Sequence, residues 1–134
     1  MGKRIKGLAH IGLYIKDIER TKKFYAEMLG FVTYFECVSE SPDGDIKVAF
    51  ARNGDCVLEL VQLPVPLQRQ DGPFEHLALK VSNIEEVKKE LESKGIVFDE
   101  PEITYAPHVF PPKGSKWILF RGPDNEHIEL NELM

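Results

Sequence analysis

Four side chains able to hold a metal ion stand at matched places in this sequence. His10 and Glu59 lie in the first half, His76 and Glu129 in the second. Two imidazoles and two carboxylates suit a borderline or moderately hard divalent ion: Ni²⁺, Co²⁺, Mn²⁺, Zn²⁺ or Fe²⁺. Four protein ligands on an octahedral ion leave two positions for water or for the oxygens of a substrate, which is what an enzyme needs. A lone strand histidine or glutamate is more often structural or merely solvated. Two of each, placed alike, favour a metal site.

The likeness extends beyond the four residues. The stretch His10-Ile-Gly-Leu-Tyr-Ile-Lys-Asp-Ile-Glu-Arg-Thr-Lys-Lys overlays His76-Leu-Ala-Leu-Lys-Val-Ser-Asn-Ile-Glu-Glu-Val-Lys-Lys. Shared are the leading His, Leu13 with Leu79, Ile18 with Ile84, Glu19 with Glu85, and the closing Lys pair. Farther on, Asp55-Cys-Val-Leu-Glu59-Leu60 matches Asn125-Glu-His-Ile-Glu129-Leu130. A repeat of about 65 residues means two like modules in one fold.

The elements that position these residues follow from local pattern. Residues 4–15 alternate as a strand, Asp17 caps a helix from Ile18 to Leu29, and Gly30 ends it. Residues 31–38 have strand composition; a turn at 41–44, a strand at 46–50, the hairpin signal Asn53-Gly54 and a strand at 56–63 follow. The stretch 64–73, with three prolines and a glycine, reads as a linker. The second module repeats the order: a strand over 74–81, then a helix from Asn83 to about Lys94 with a capping box to Glu86. Short strands follow near 96–98 and 103–105, then strands over 116–121 and 126–131. The fold class is α+β: two βαβββ modules, about 4–63 and 74–134, in a single domain spanning 1–134. Alternation places His10 with Gly12 and Tyr14, His76 with Ala78 and Lys80, and Glu59 with Val57, Val61 and Leu63. The opposite parity carries Ile11, Leu13, Ile15, Leu77, Leu79 and Val81, the residues that pack on the helices. The ligand face, with its Gly, Ala and Val, suits a lined cavity better than a solvated surface. His127 shares the parity of Glu129, whereas His108 falls in a proline-rich loop.

Bulk properties narrow the function. A chain of 134 residues with 43% hydrophobic residues is long enough to bury a core. A net charge of −5 without a basic block argues against nucleic acid. The basic start Met-Gly-Lys-Arg-Ile-Lys leads into no apolar secretion signal, and no window has the length of a membrane span. Cys37 and Cys56 have neither metal nor redox spacing and read as reduced thiols of a cytoplasmic protein.

From Leu8 to Leu133 the chain resembles the vicinal oxygen chelate superfamily, and within it the short bacterial glyoxalase I type, lactoylglutathione lyase. The resemblance rests on Gly-Leu-Ala-His10-Ile-Gly-Leu, Phe-Tyr-Ala-Glu-Met-Leu-Gly30-Phe and Val-Leu-Glu59-Leu. Module two adds Phe-Glu-His76-Leu-Ala-Leu-Lys-Val and Gly-Pro-Asp-Asn-Glu-His-Ile-Glu129-Leu. It implies paired modules whose mixed sheets curl into a half-barrel around one divalent metal held by His10, Glu59, His76 and Glu129. It also implies a homodimer acting on a small molecule. In glyoxalase I chemistry the metal binds the vicinal oxygens of a hemithioacetal and stabilises the enediolate formed by deprotonation. The carboxylate that shuttles the proton would be Glu129, with Glu59 serving the opposite face.

Two positions depart from the glyoxalase I pattern. Tyr14 stands where an arginine usually lies and Leu63 where an asparagine does, both glutathione contacts, so the implied pocket is more aromatic and apolar. Trp117 and the loop 107–115 are expected to border it, with His127 beside them. The runner-up readings are an acyl-CoA epimerase of the methylmalonyl-CoA type and a non-catalytic binding protein of the bleomycin-resistance kind. The first usually has glutamine in place of Glu59, and the second generally lacks the four ligands. A metal-dependent thiol transferase acting on fosfomycin does not use the Glu59 position. Ring-cleaving dioxygenases usually carry four modules.

Overall fold

The computed structural model describes residue 4 and residues 6–67, 71–107 and 113–134. The chain divides into two compact units, Met1–Gln68 and Arg69–Met134.

Unit one runs β1 (Ile11–Ile15), α1 (Ile18–Leu29), β2 (Val32–Ser41), β3 (Gly44–Asn53) and β4 (Cys56–Gln62), with strand order β1-β4-β3-β2. β1 lies parallel to β4 and the other neighbours are antiparallel, so the sheet is mixed and open. A parallel pair cannot be joined by a tight turn, and here a helix and two strands make the crossover. α1 starts where expected: the Asp17 carboxylate accepts from the Arg20 N–H at 3.1 Å. It ends at Gly30, whose φ of 72° is the left-handed conformation that releases the chain from the helix. Tyr25 and Ile18 on α1 and the following Phe31 are buried, as are Ala49, Ala51, Leu58 and Leu60 on one face of the sheet. Full burial of an Ile, Leu or Phe side chain stabilises by about 1.5–3 kcal/mol.

Unit two runs β5 (Leu77–Lys80), α2 (Ile84–Ser93), β6 (Thr104–Ala106), β7 (Ser115–Arg121) and β8 (His127–Leu133), in the order β5-β8-β7-β6. Again the first and last strands pair in parallel. Its core is Ile84 and Leu91 with Ile118, Phe120, Ile128 and Leu130, all buried.

The βαβββ order thus holds in both units, with local corrections. Strands β1 and β5 begin at Ile11 and Leu77, so each histidine stands immediately before its strand rather than within it. The expected strand at 96–98 is a single bridge, Phe98 to Phe120, followed by one bond from the Asp99 N–H to the Leu119 carbonyl. The expected capping box on α2 does not form. Asn83 has φ 54° and ψ 58°, left-handed rather than the extended backbone from which a side chain caps. The Glu132 carboxylate serves instead, accepting from the N–H groups of Asn83 and Ile84, each at 3.0 Å. Gln62 does the same for α1, accepting from the Ile18 N–H at 2.8 Å. In both units the last strand therefore closes the helix start. Among the described residues, no helix is long and apolar enough to cross a membrane.

Candidate functional site

Within unit one the parallel register sets Gly12 beside Glu59, and the antiparallel register sets Phe50 on its other side. His10, two residues before Gly12, reaches the same face, and its Nε2 lies 3.4 Å from Glu59 Oε1. A Cβ on Gly12 would meet that oxygen at 3.7 Å, an ordinary contact, so the glycine leaves room beside the carboxylate. The His10 ring packs at right angles to Phe50, with centroids 5.6 Å apart. A β-bulge between Thr33 and Phe35 brings consecutive aromatics, Tyr34 and Phe35, against Phe50 at 6.3 and 6.2 Å. The Arg52 guanidinium stacks on Tyr34 at 4.8 Å.

Unit two repeats the device. Ala78 and Leu119 flank Glu129, and His76 Nε2 lies 3.5 Å from Glu129 Oε1. Its surroundings differ. Asn131 donates from Nδ2 to Glu129 Oε2 at 2.9 Å. Glu75 bridges two histidines, with Oε2 2.5 Å from His76 Nδ1 and Oε1 2.5 Å from His127 Nδ1. The other ring nitrogen of His127, Nε2, lies 2.7 Å from Asp99 Oδ2. Hydrogen bonds from His76, then from His127, hold the Glu75 carboxyl below its ordinary range.

Both His–Glu separations bear on metal binding. An N–H···O hydrogen bond is typically about 2.9 Å, shorter than either. Two donors about 2.0–2.2 Å from one ion, set 90–110° apart, lie about 3.0–3.5 Å from each other. Each pair, at 3.4 and 3.5 Å, therefore has the spacing of two ligands on a shared ion. The donor chemistry, one imidazole and one carboxylate per pair, fits the divalent ions named above.

Asp71, Glu75 and His127 also cluster closely enough to suggest a cation site. Positive charge is already supplied there: Arg121 Nη1 and Nη2 donate to the two oxygens of Asp71 at 2.7 and 2.8 Å. That guanidinium holds the Asp71 carboxyl below the usual range. Both ring nitrogens of His127 face carboxylates at hydrogen-bond distance, Glu75 Oε1 and Asp99 Oδ2, so neither is free to ligate an ion.

The sequence-derived site residues fall as follows. His10 meets Glu59 and His76 meets Glu129, each pair within its own unit. Tyr14 pairs in register with Val61 and is exposed, and Leu63 is half-buried just beyond β4. Trp117 stands opposite Asn131 on the Glu129 side of the sheet, and His127 opposite Arg121. His108 and most of the loop expected to border the site lie outside the described residues. Cys37 and Cys56 are free thiols, and burial pushes that of Cys56 up. Sequence reasoning missed Glu75, Asp99, Asn131 and Phe50. Only Asn131 had a local signal, standing two residues after Glu129 and hence on its face.

The sequence matches the Glyoxalase/Bleomycin resistance protein/Dioxygenase superfamily over residues 7–130. It is 34% identical to protein YwkD of Bacillus subtilis, an alignment covering 96% of this chain and 98% of that one. The crystal structure of a glyoxalase family protein from Enterococcus faecalis superposes with a TM-score of 0.78 at 28% identity, over 96% and 99% of the two chains. The fosfomycin resistance protein FosX of Listeria monocytogenes, in complex with Mn(II) and sulfate, gives a TM-score of 0.70 at 19% identity, over 96% and 93%. At that identity the likeness to FosX is one of fold.

Proposed function

The chain belongs to the Glyoxalase/Bleomycin resistance protein/Dioxygenase superfamily, and from that premise we propose that it is a metal-dependent lyase or isomerase of the glyoxalase I type. Its reaction moves a proton between neighbouring carbons of a small thiol adduct or 2-oxo compound. The observation that carries this reading is the repeated His–Glu spacing, 3.4 Å in one unit and 3.5 Å in the other. His10, Glu59, His76 and Glu129 would together hold one divalent ion. When bound, such an ion supplies Lewis-acid stabilisation of negative charge developing on a substrate oxygen.

The protein's own residues do the rest. Glu129 takes the proton from one carbon and returns it to the next. Its side chain is 12% exposed and Asn131 holds Oε2, which keeps solvent away and leaves Oε1 on the His76 side. Glu59, 29% exposed and flanked by Gly12, serves the opposite face of the substrate with more freedom. Phe50, Tyr34 and Phe35 give unit one an aromatic surface beside His10, which supports a substrate with an apolar or planar portion. The proposed assembly is a homodimer.

Metal content per chain is the test, measured after loading with Ni²⁺, Co²⁺ or Zn²⁺ and removing the excess. One tightly held ion in the wild type, lost in His76→Ala and in His10→Ala, is the expected result. Retention in both variants, or no retention in the wild type, would sink the reading. Mixing the two inactive variants tests the dimer: activity returns if a site draws on two copies, since one intact combination of units re-forms.

A further inference from the structure

We propose that Glu75 is a positioning residue for His76, itself braced by His127 and Asp99, so that His76 presents Nε2 toward the Glu129 carboxylate in one fixed tautomer. The proposal rests on the metal reading above and adds residues that sit behind the ligands.

Four groups stand in a row. Asp99 Oδ2 meets His127 Nε2 at 2.7 Å, His127 Nδ1 meets Glu75 Oε1 at 2.5 Å, and Glu75 Oε2 meets His76 Nδ1 at 2.5 Å. Beyond the ring, His76 Nε2 faces Glu129 Oε1. A carboxylate only accepts, so the proton between Glu75 and His76 belongs on Nδ1. The neutral ring must then carry its lone pair on Nε2, the atom on the Glu129 side. A carboxylate behind a ligating histidine sets ring orientation and basicity in this way, and its loss typically weakens metal binding about 10–100-fold.

The His76 side chain is 41% exposed, so the hydrogen bond to Glu75 is what selects one orientation of its ring. His127 is more enclosed, at 11% exposure, and its two carboxylate partners keep it from turning. Glu75 thereby has both oxygens committed and is removed from the pool of ligands. Unit one has no counterpart: the residue before His10 is Ala9, and the place of His127 is taken by Val57. There the His10 ring, equally exposed at 41%, packs at right angles to Phe50.

The test compares wild type, Glu75→Gln and Asp71→Asn, the last removing a nearby carboxylate that pairs with Arg121 rather than with His76. Co²⁺ affinity is measured by competition with a chelating dye, and the visible spectrum of bound Co²⁺ reports its ligand geometry. Expected is a loss of about 10–100-fold for Glu75→Gln with an altered spectrum, and wild-type behaviour for Asp71→Asn. Wild-type affinity and spectrum in Glu75→Gln would overturn the proposal, as would an equal loss in Asp71→Asn, which would mean a diffuse charge effect. In metal-free protein at alkaline pH, ¹⁵N shifts of the His76 ring should show the Nδ1–H tautomer in wild type and a mixture in Glu75→Gln; the same tautomer in both would also overturn it. If the wild type takes up no Co²⁺, the metal reading fails, and the NMR arm still decides the brace.

Discussion

The two units carry the same His–Glu pair at the same places, a histidine just before the first strand and a glutamate on the last, and surround it differently. In unit one the flanks of Glu59 are Gly12 and Phe50, with Val57 and Val61 two residues to either side along β4. In unit two the corresponding residues are Ala78, Leu119, His127 and Asn131. The first setting is apolar and aromatic and leaves its carboxylate the more exposed, at 29% against 12%. The second is polar and ties its histidine and its glutamate down through Glu75 and Asn131. Metal ligation, as proposed, asks only for an imidazole and a carboxylate a fixed distance apart, and both units have that pair. On the proposed function, proton transfer and substrate contact ask for different things around the pair, and the two settings differ in that sense. A held, enclosed carboxylate suits moving a proton, whereas an open one beside aromatic rings suits contact with a substrate.

The most severe way to break this contrast is to neutralise each carboxylate in turn. Glu129→Gln should lower turnover of a hemithioacetal by about 10²–10⁴-fold, the ordinary worth of a positioned base, while the fold persists. Glu59→Gln should cost less. Equal losses in steady-state assays would show that the two carboxylates share the proton work.

A milder exchange sharpens the polar difference. Asn131→Val gives β8 the residue that β4 has at Val61 and strips Glu129 Oε2 of its donor. Leaving an enclosed charged acceptor unpaired costs about 1–3 kcal/mol, to be read by chemical denaturation. The reciprocal Val61→Asn should change stability little, because Glu59 is the more exposed carboxylate. A loss of equal size in both variants would mean that the Asn131 bond does not distinguish the units.

The smallest effect is expected in acid. Asp71 and Glu85 are held below the ordinary carboxylate range, first of all by their hydrogen bonds to Arg121 and Lys116 respectively. A carboxyl with a lowered folded pKa contributes stability above its unfolded value, and that contribution disappears as pH falls through the folded one. With unfolded values of about 3.9 and 4.3, unit two should begin to loosen below about pH 4 and stay unaffected from there to neutrality. Both partners are solvent-exposed, so the effect should be slight and should shrink further with salt. Trp117 in β7, the single tryptophan, lies in this unit and serves as its probe, while hydrogen exchange along β4 follows the other. Simultaneous loss of both signals would erase the predicted order.

Much of the architecture was legible because it is local. Helix α1 is bracketed by Asp17 and Gly30, both acting through bonds to residues a turn away, and its limits came out as expected. Helix α2 looked equally plain, yet Asn83 does not cap it. The cap arrives from Glu132, 49 positions along the chain, which no local pattern shows. The strand expected at 96–98 had the right composition and lacked a partner strand, since only Phe98 finds one. At the site, alternation set His10 with Gly12 and Tyr14, His76 with Ala78 and Lys80, and Glu59 with Val57 and Val61, because parity is a property of each strand. The register of the parallel pairs, by contrast, brings Gly12 beside Glu59 and Ala78 beside Glu129. Alternation could not name Phe50, which becomes a neighbour of Glu59 only through the β3–β4 register, nor the aromatic pair that the bulge in β2 turns onto one side.

The sequence by itself determined the doubled plan, the residue types of the two His–Glu pairs and the core parity that opposes them. All three are written in short-range periodicity and in a repeat visible to direct comparison. Only the tertiary structure decided what stands around each pair. Asp99, His127, Glu75 and His76 come together because strands and loops far apart in the chain are laid side by side, and lateral neighbours are set by register and loop path rather than by any pattern within one element.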